Sequence, residues 1–268
     1  MITRDQPAER ERLRWIALPV FLSRALMWLD LYVHEDSGIT SLADLRGKRV
    51  GVPDYHMTAA IWMRIVLKEL YKIRPEDIEW FNGRPVGVSH GQGVGEALVP
   101  GIILTRAQRP GELGEKLRKG ELDAAYGGTG AAVARTNSLR PLFRPGEAAQ
   151  VMEKFRRETG ITPTNHLLIV QQELVDRYPG LAMRLYRAFE MSKQEAYARA
   201  RSAAAGYLLF SGDAFAQQAA AFGDDPFPSG LAANRIMLEM FARASLDEGL
   251  LSSMPELDRL FCQETWST

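Results

Sequence analysis

The sequence predicts an α/β fold that ends in a helical C-terminal region. Short apolar segments alternate with longer segments of helical periodicity up to about Val175. Glycine or proline stands at many of the junctions, as at Gly47 and Pro53, where a strand or helix has to stop. From Pro179 onward the apolar spacing is helical. Strands that alternate with helices are typical of a sheet with mainly parallel strands.

Local patterns place the elements of the first half of the chain. Ser41 is a typical N-cap for a short helix that stops at Gly47. The segment 57–72 is apolar on nearly every side, so we expect a helix that is covered on most faces. The predicted strands are 14–21, 29–35, 49–52 and 77–81.

The second half begins with the least regular part of the chain. Residues 82–105 are rich in glycine and predict a loop or hairpin with weak strand character. Beyond it we expect a helix at 110–120, a strand at 122–126, a small-residue helix from about Gly130, a strand at 139–143, a helix at 147–159 and a strand that begins at His166.

Composition and charge narrow the class of protein. The chain has 268 residues, of which 46% are hydrophobic and 25% charged, the balance of an ordinary globular protein with one large or two smaller domains. Lysine plus arginine equals aspartate plus glutamate at 33 each, so there is no basic excess of the kind that nucleic acids or anionic membranes attract. We therefore expect a small-molecule partner, with no nucleic acid and no membrane, and leave the oligomeric state open.

Cysteine usage and the N-terminal residues indicate a compartment. Cys262 is the single cysteine, so no intrachain disulfide can form, and we expect an inert thiol. The first fifteen residues are charged throughout and lack the apolar core of a signal peptide. No apolar run reaches the ~18 residues that a membrane span needs. These features predict a cytoplasmic location.

The turn in "VPDYHMTAA" concentrates polar side chains between a strand and a helix. Asp54, His56 and Thr58 follow the strand at 49–52, and ligands of open α/β sheets bind where strands end and helices present free N–H groups. These residues could contact an anionic ligand. Alternatively, Asp54 or Thr58 could simply cap the helix.

A second turn, "DAAYGGTGAAV", repeats this arrangement at Gly128–Gly130. Its glycines do not match the G-x-G-x-x-G register of dinucleotide-binding proteins, so we expect no such cofactor. The alternative reading is a tight turn that needs left-handed glycines.

The other histidines and two arginines are weaker candidates. His34, His90 and His166 show no zinc-binding spacing, so we expect no metal site of that type. Arg24 and Arg235 lie in apolar surroundings, where an arginine usually pairs with a structural carboxylate and less often clamps a substrate carboxylate.

Several longer stretches resemble a known family. They are "DSGITSLADLRGKRVGVPDYHMTAAIWMRIVLKELYKIRPEDIEWFNG", "ALPVFLSRA", "GELDAA", "FRRETGITPTNHLLIVQQELVDRYPGLAMRLYRAF", "GLAANRIMLEMFARASLDEGL" and "PELDRLFCQET". Together they resemble the type 2 periplasmic-binding-protein fold and, within it, the 4,5-dihydroxyphthalate decarboxylase family, from about Ile16 to Thr265. The "MTAA" helix start, the "NR" pair and the "PELDRLF" ending are the more specific parts.

The resemblance implies two α/β lobes joined by crossing strands, with the ligand in the cleft between them. It places the first lobe at residues 1–46 and 168–268, and the second at 47–167. It also implies a carboxy-lyase that converts 4,5-dihydroxyphthalate to 3,4-dihydroxybenzoate and carbon dioxide without an organic cofactor. The alternative is a non-catalytic binding protein for an aromatic acid or another small anion.

The resemblance also suggests roles for individual residues. The predicted catalytic residues are His56, for proton transfer, and His166, at the phenolic edge of the ring. The predicted substrate-binding residues are Asp54, Tyr55, Thr58, Gly128, Thr129, Asn165 and Arg235. His56 stands where the family pattern favours a polar residue such as glutamine, and "YGGTGAA" is richer in glycine than the family's turn. The chain also begins later than the family pattern, which leaves open an inactive fragment.

Overall fold

Alternating strands and helices form two separate units in the computed structural model, which describes residues 15–24, 26–89, 100–127 and 138–268. Within these residues, unit 1 comprises Leu26–Phe155 and Phe241–Met254. Unit 2 comprises the residues up to 24, Arg156–Met240 and Pro255–Thr268.

The elements are numbered in chain order. The strands are β1 (Trp15–Ser23), β2 (Tyr32–His34), β3 (Arg49–Val52), β4 (Glu79–Asn82), β5 (Ile103–Arg106), β6 (Ala124–Ala125), β7 (Leu139–Pro141) and β8 (His166–Gln171). The α-helices are α1 (Thr58–Tyr71), α2 (Glu112–Arg118), α3 (Glu147–Thr159), α4 (Gln172–Arg177), α5 (Leu181–Tyr207), α6 (Ser211–Phe222), α7 (Leu231–Asp247) and α8 (Leu257–Leu260).

A six-stranded sheet with the order β5-β4-β3-β6-β2-β7 organises unit 1. Strands β5, β4, β3 and β6 run parallel to one another, whereas β2 is antiparallel to both β6 and β7. The sheet is therefore mainly parallel, as predicted, with an antiparallel edge. Val52 pairs with Asn82 and Gly51 with Ala125, so the carboxyl ends of β3, β4 and β6 meet at one edge.

The two faces of this sheet have different partners. Phe81 and Ala125 pack with Leu113 and Leu117 of α2 on one face. A Cβ at Gly51 would lie 2.3 Å from Leu113 Cδ1, so any side chain there would displace Leu113 of α2. Because side chains alternate along a strand, residues 52, 80, 82 and 126 face the opposite side.

Unit 2 is built around the antiparallel pair β1 and β8. Its core contains apolar side chains from these strands, from α4 and from the start of α5, namely Leu18, Val20, Val170, Val175 and Ala182, together with Cys262. Cys262 is buried, and burial raises the pKa of its thiol. This environment agrees with the expected inert cysteine.

Several predicted boundaries differ from the observed ones. The strand predicted at 29–35 is reduced to β2, because Met27–Asp30 forms a 3-10 helix. Residues 32–34 belong to unit 1 rather than to the predicted first lobe, because β2 pairs with β6 and β7. Residues 156–167 belong to unit 2, where Thr164 Oγ1 donates to the carbonyl of Ser23. His90 and the predicted helix from Gly130 lie outside the described residues.

Candidate functional site

The turn between β3 and α1 is ordered by Asp54. This carboxylate is fully buried, and its Oδ1 accepts a hydrogen bond of 3.0 Å from the N–H of His56. The N-cap of α1 is Met57, and no side chain caps the helix there. Asp54 therefore shapes the turn ahead of the helix instead of capping it. Thr58, the half-buried first residue of α1, lies beside N–H groups that have no intrahelical acceptor.

His56 points into a closed environment beside that carboxylate. Its side chain is 3% exposed, and its Nδ1 lies 3.8 Å from Asp54 Oδ1, close enough for an ion pair when the imidazole is protonated. Its ring meets the ring of Tyr55 edge-on, with the ring centres 5.6 Å apart. The site therefore combines a titratable imidazole, a buried carboxylate and the N-terminus of a 14-residue helix.

Tyr55 lies in the core of unit 1, where its side chain is 1% exposed. Its ring packs edge-on against Trp80, and the guanidinium carbon of Arg64 lies 3.9 Å from its centre. Burial raises the pKa of the Tyr55 hydroxyl, and the nearby Arg64 charge opposes this effect only in part. Tyr55 thus packs beneath the β3–α1 turn, and its expected substrate contact stays a prediction.

Arg64 and Glu248 form a buried ion pair that the sequence interpretation missed. Arg64 Nε donates to Glu248 Oε1 at 2.9 Å, and Arg64 Nη2 donates to Oε2 at 2.5 Å. Burial alone would lower the pKa of Arg64, but the charge of Glu248 outweighs it, with help from Tyr55, and raises the pKa. The available signal was a lone arginine within the apolar run "IWMRIVL".

Two further polar side chains lie at the ends of the flanking strands. Asn82 ends β4 and Tyr126 follows β6, and both are fully buried on the sheet face that carries Val52. Within the described part of the chain, Asn82 Nδ2 and Tyr126 Oη have no hydrogen-bond partner. Burial raises the pKa of Tyr126; the charge of Arg64 opposes this and that of Asp54 adds to it. The sequence interpretation named neither residue.

The predicted site residues of unit 2 form their own group. The N–H of Asn165 donates to the carbonyl of Ser23 at 2.9 Å, and His166 is an exposed residue paired across from Ser23. Arg235 is half exposed and forms an ion pair with Asp258. Gly128 and Thr129 lie outside the described residues, so their predicted roles stay predictions.

Known proteins resemble this chain over most of its length. A 4,5-dihydroxyphthalate decarboxylase of Comamonas testosteroni is 32% identical over 251 residues, which are 92% of this chain and 76% of that protein. The chain belongs to the 4,5-dihydroxyphthalate decarboxylase family. A protein of the same name from Pseudomonas putida is 38% identical over 113 residues, 42% of this chain and 44% of that protein. No protein-family model matches the chain.

A solved structure confirms the predicted fold class for this member of the decarboxylase family. The periplasmic aliphatic sulphonate binding protein SsuA from Escherichia coli aligns with a TM-score of 0.50 at 13% identity. The alignment covers 96% of this chain and 71% of that chain. The periplasmic-binding-protein-like fold and the family assignment predicted from the resemblance are thus both confirmed. The family name is that of a carboxy-lyase, as predicted.

Two properties of the described residues bear on cofactors and membranes. Within them, no group of three or more histidine, cysteine, aspartate or glutamate side chains could hold a metal ion. None of their helices is both long enough and apolar enough to span a bilayer. The predicted cytoplasmic location of this family member stays a prediction.

Proposed function

We propose that this chain is a carboxy-lyase that converts 4,5-dihydroxyphthalate, or a closely related dihydroxylated aromatic dicarboxylate, to the monocarboxylate and carbon dioxide. The observation that carries the proposal is the family relationship, which covers 92% of the chain. The geometry of the β3–α1 turn supports it, because a buried imidazole, a buried carboxylate and a helix N-terminus meet there.

The reaction needs a proton donor, a partner for the retained carboxylate and a site that excludes water. The hydroxyl para to the departing carboxylate pushes electron density into the ring, and a proton adds to the carbon that bears this carboxylate. The bond to the carboxylate then breaks, its electron pair returns to the ring, and carbon dioxide leaves. The added proton stays on the ring carbon, so each turnover consumes one proton that the donor must recover from solvent.

His56 is our candidate for the proton donor. An imidazole is the side chain that most readily carries a proton near neutral pH. Asp54 Oδ1 lies 3.8 Å from His56 Nδ1, where it can pair with the imidazolium before the transfer. The 3% exposure of the His56 side chain keeps competing water away from the proton.

The retained carboxylate needs a cationic or N–H-rich partner. The start of α1 supplies N–H groups and the positive end of a helix dipole, with Thr58 as the adjacent hydroxyl. Asn165 and His166 remain candidates for the phenolic edge. Arg235 is a weaker candidate than expected, because Asp258 already balances its charge.

The alternative is a solute-binding protein without catalytic activity. The structural likeness to SsuA is compatible with it, since one fold serves both binding proteins and enzymes. The β3–α1 turn would then hold an anion without transferring a proton.

One experiment separates these possibilities. The purified chain is incubated with 4,5-dihydroxyphthalate while 3,4-dihydroxybenzoate and carbon dioxide are measured. Product formation that is lost in His56→Ala and kept in the matched control His34→Gln supports the enzyme. A saturable thermal shift without product supports the binding protein. The absence of both product and thermal shift contradicts both functions.

A further inference from the structure

The peptide bond between Tyr55 and His56 is held at both ends. Its carbonyl oxygen, on Tyr55, accepts a hydrogen bond of 2.9 Å from Arg64 Nη1. Its N–H, on His56, donates to Asp54 Oδ1 at 3.0 Å. Because a peptide unit is planar, it cannot rotate without breaking one of these bonds. The two bonds therefore set the direction in which the His56 side chain leaves the backbone.

Arg64 also interacts with His56 indirectly, through the aromatic ring of Tyr55. The guanidinium carbon of Arg64 lies 3.9 Å from the centre of that ring, within cation–π distance. The same ring also meets the His56 imidazole, at an interplanar angle of 80°. Arg64 thus acts on both the backbone and the side-chain packing of His56.

Arg64 is itself fixed by Glu248. The side chains are 1% and 7% exposed, and the carboxylate accepts from both Nε and Nη2 of the guanidinium. This fork geometry leaves Nη1 free to bond the Tyr55 carbonyl in the same plane. A lysine at this position could not reproduce this geometry, because its three N–H donors all leave one nitrogen, whereas the guanidinium spreads its donors over a planar fork.

Stability alone gives little reason for a charged pair at this place. Replacing a buried ion pair with apolar side chains of similar size is often neutral or stabilising. The chain segments that carry Arg64 and Glu248 are also joined by an exposed ion pair of 3.1 Å between Lys68 and Asp247. What the buried pair adds is the hydrogen bond to the Tyr55 carbonyl.

We propose that Arg64, held in place by Glu248, is a positioning residue for His56. It acts through the Tyr55–His56 peptide and not on the reacting atoms. The inference rests on the proposed function for one point, namely the proton transfer assigned to His56. The positioning itself is a property of unit 1 and can be measured without any turnover.

The test replaces the buried pair by apolar side chains in the double variant Arg64→Met, Glu248→Leu. The matched control is Lys68→Met, Asp247→Leu, which removes the exposed pair between the same segments. Thermal unfolding is used to check that both variants are folded. The imidazole resonances of His56, one of only four histidines, are followed by NMR and assigned with His56→Gln. Turnover of 4,5-dihydroxyphthalate gives kcat and KM.

We expect the buried-pair variant to shift or broaden the His56 resonances and to lower kcat by about 10- to 100-fold, with a smaller change in KM, because a displaced proton donor slows the chemical step. The control should keep the wild-type resonances and kcat. A folded buried-pair variant with unchanged His56 resonances and unchanged kcat overturns the proposal.

Two further results keep the outcome interpretable. If the double variant does not fold, Arg64→Lys takes its place, and the same NMR change is expected with a smaller loss of kcat. If the wild-type chain forms no product, the proposed function fails. The His56 resonances then still decide whether Arg64 positions this side chain.

Discussion

Arg24 Nη2 donates a hydrogen bond of 2.8 Å to Asn234 Oδ1, and both side chains are at least nine-tenths buried in unit 2. Arg24 also donates to the carbonyls of Thr162 and Pro228, and it has no carboxylate partner among the described residues. Burial lowers the pKa of Arg24 to about 10, and the charge of Asp225 offsets this only in part. Among the described residues, this buried cation is thus held by neutral acceptors, one of which is the side chain of Asn234.

This arrangement predicts different effects for two neighbouring substitutions. Asn234→Ala removes the bond to Arg24 and two bonds from Nδ2 to the carbonyls of Pro228 and Gly230, so it should lower the free energy of unfolding by about 2 to 4 kcal/mol. Arg235→Ala removes a half-exposed ion pair and should cost at most about 1 kcal/mol. Urea denaturation measures both. Equal losses would contradict the prediction.

Gly127 should not tolerate a side chain. Its φ is +67°, and a Cβ there would lie 2.4 Å from Pro53 Cγ, at the start of the turn that carries Asp54. We expect Gly127→Ala to lower stability by about 2 to 4 kcal/mol, through backbone strain and this clash. Gly146→Ala is the control, because Gly146 has φ of +90° with nothing within 4 Å, and strain alone should cost about 1 kcal/mol. Thermal unfolding distinguishes the two.

The ion pair between Arg49 and Asp123 should make stability depend on pH. Burial by itself raises the pKa of Asp123, but the hydrogen bonds and charge of Arg49 outweigh it, so the pKa is below its usual range. A lowered carboxyl pKa stabilises the folded state above the unfolded pKa of about 3.9, and this stabilisation is lost as pH falls through the folded pKa.

Asp123→Asn should therefore be less stable than wild type at pH 6, by about 1 kcal/mol, with the difference shrinking below about pH 4. Urea denaturation at several pH values measures this difference, with Asp213→Asn, an exposed residue of α6, as control. A difference that stays constant down to pH 2.5 would show that the carboxylate charge is not involved.

Two buried or half-buried tyrosine hydroxyls should respond differently to removal. Tyr126 Oη has no partner among the described residues, so Tyr126→Phe should change stability by less than about 0.5 kcal/mol in either direction. Tyr197 Oη donates to Asp225 at 2.7 Å, so Tyr197→Phe should cost about 1 to 2 kcal/mol. Parallel denaturation curves test this. A larger loss for Tyr126→Phe would indicate an ordered water or another partner at its hydroxyl.

The elements predicted best are those with a strong local pattern. The helix expected at 57–72 is observed as Thr58–Tyr71. The helix expected at 147–159 matches α3, and the strand expected at 49–52 matches β3. Ser41 forms a capping box with Asp44 at the short helix that it was expected to cap. Apolar periodicity, helix caps and glycine stops depend on residues only a few positions apart. They can therefore be recognised directly in the amino-acid sequence.

The candidate site was predicted only in part. The turn with Asp54, His56 and Thr58 could be found because it follows a buried strand and precedes a helix. The inward direction of Tyr55 could not, because residues in a turn have no fixed periodicity. Three arginines lie in apolar surroundings along the chain. Nothing in their local sequence distinguishes the two that are buried, Arg24 and Arg64, from the half-exposed Arg235.

By itself, then, the sequence determined the α/β alternation, the family and the position of the polar turn. Tertiary structure decided the partners: Glu248 lies 184 residues from Arg64, and Asn234 lies 210 residues from Arg24. It also decided that β2 runs antiparallel within a mainly parallel sheet. The physical reason is that pairing over such separations depends on the path of the whole chain, whereas spacing along the sequence reports only on neighbours a few residues apart.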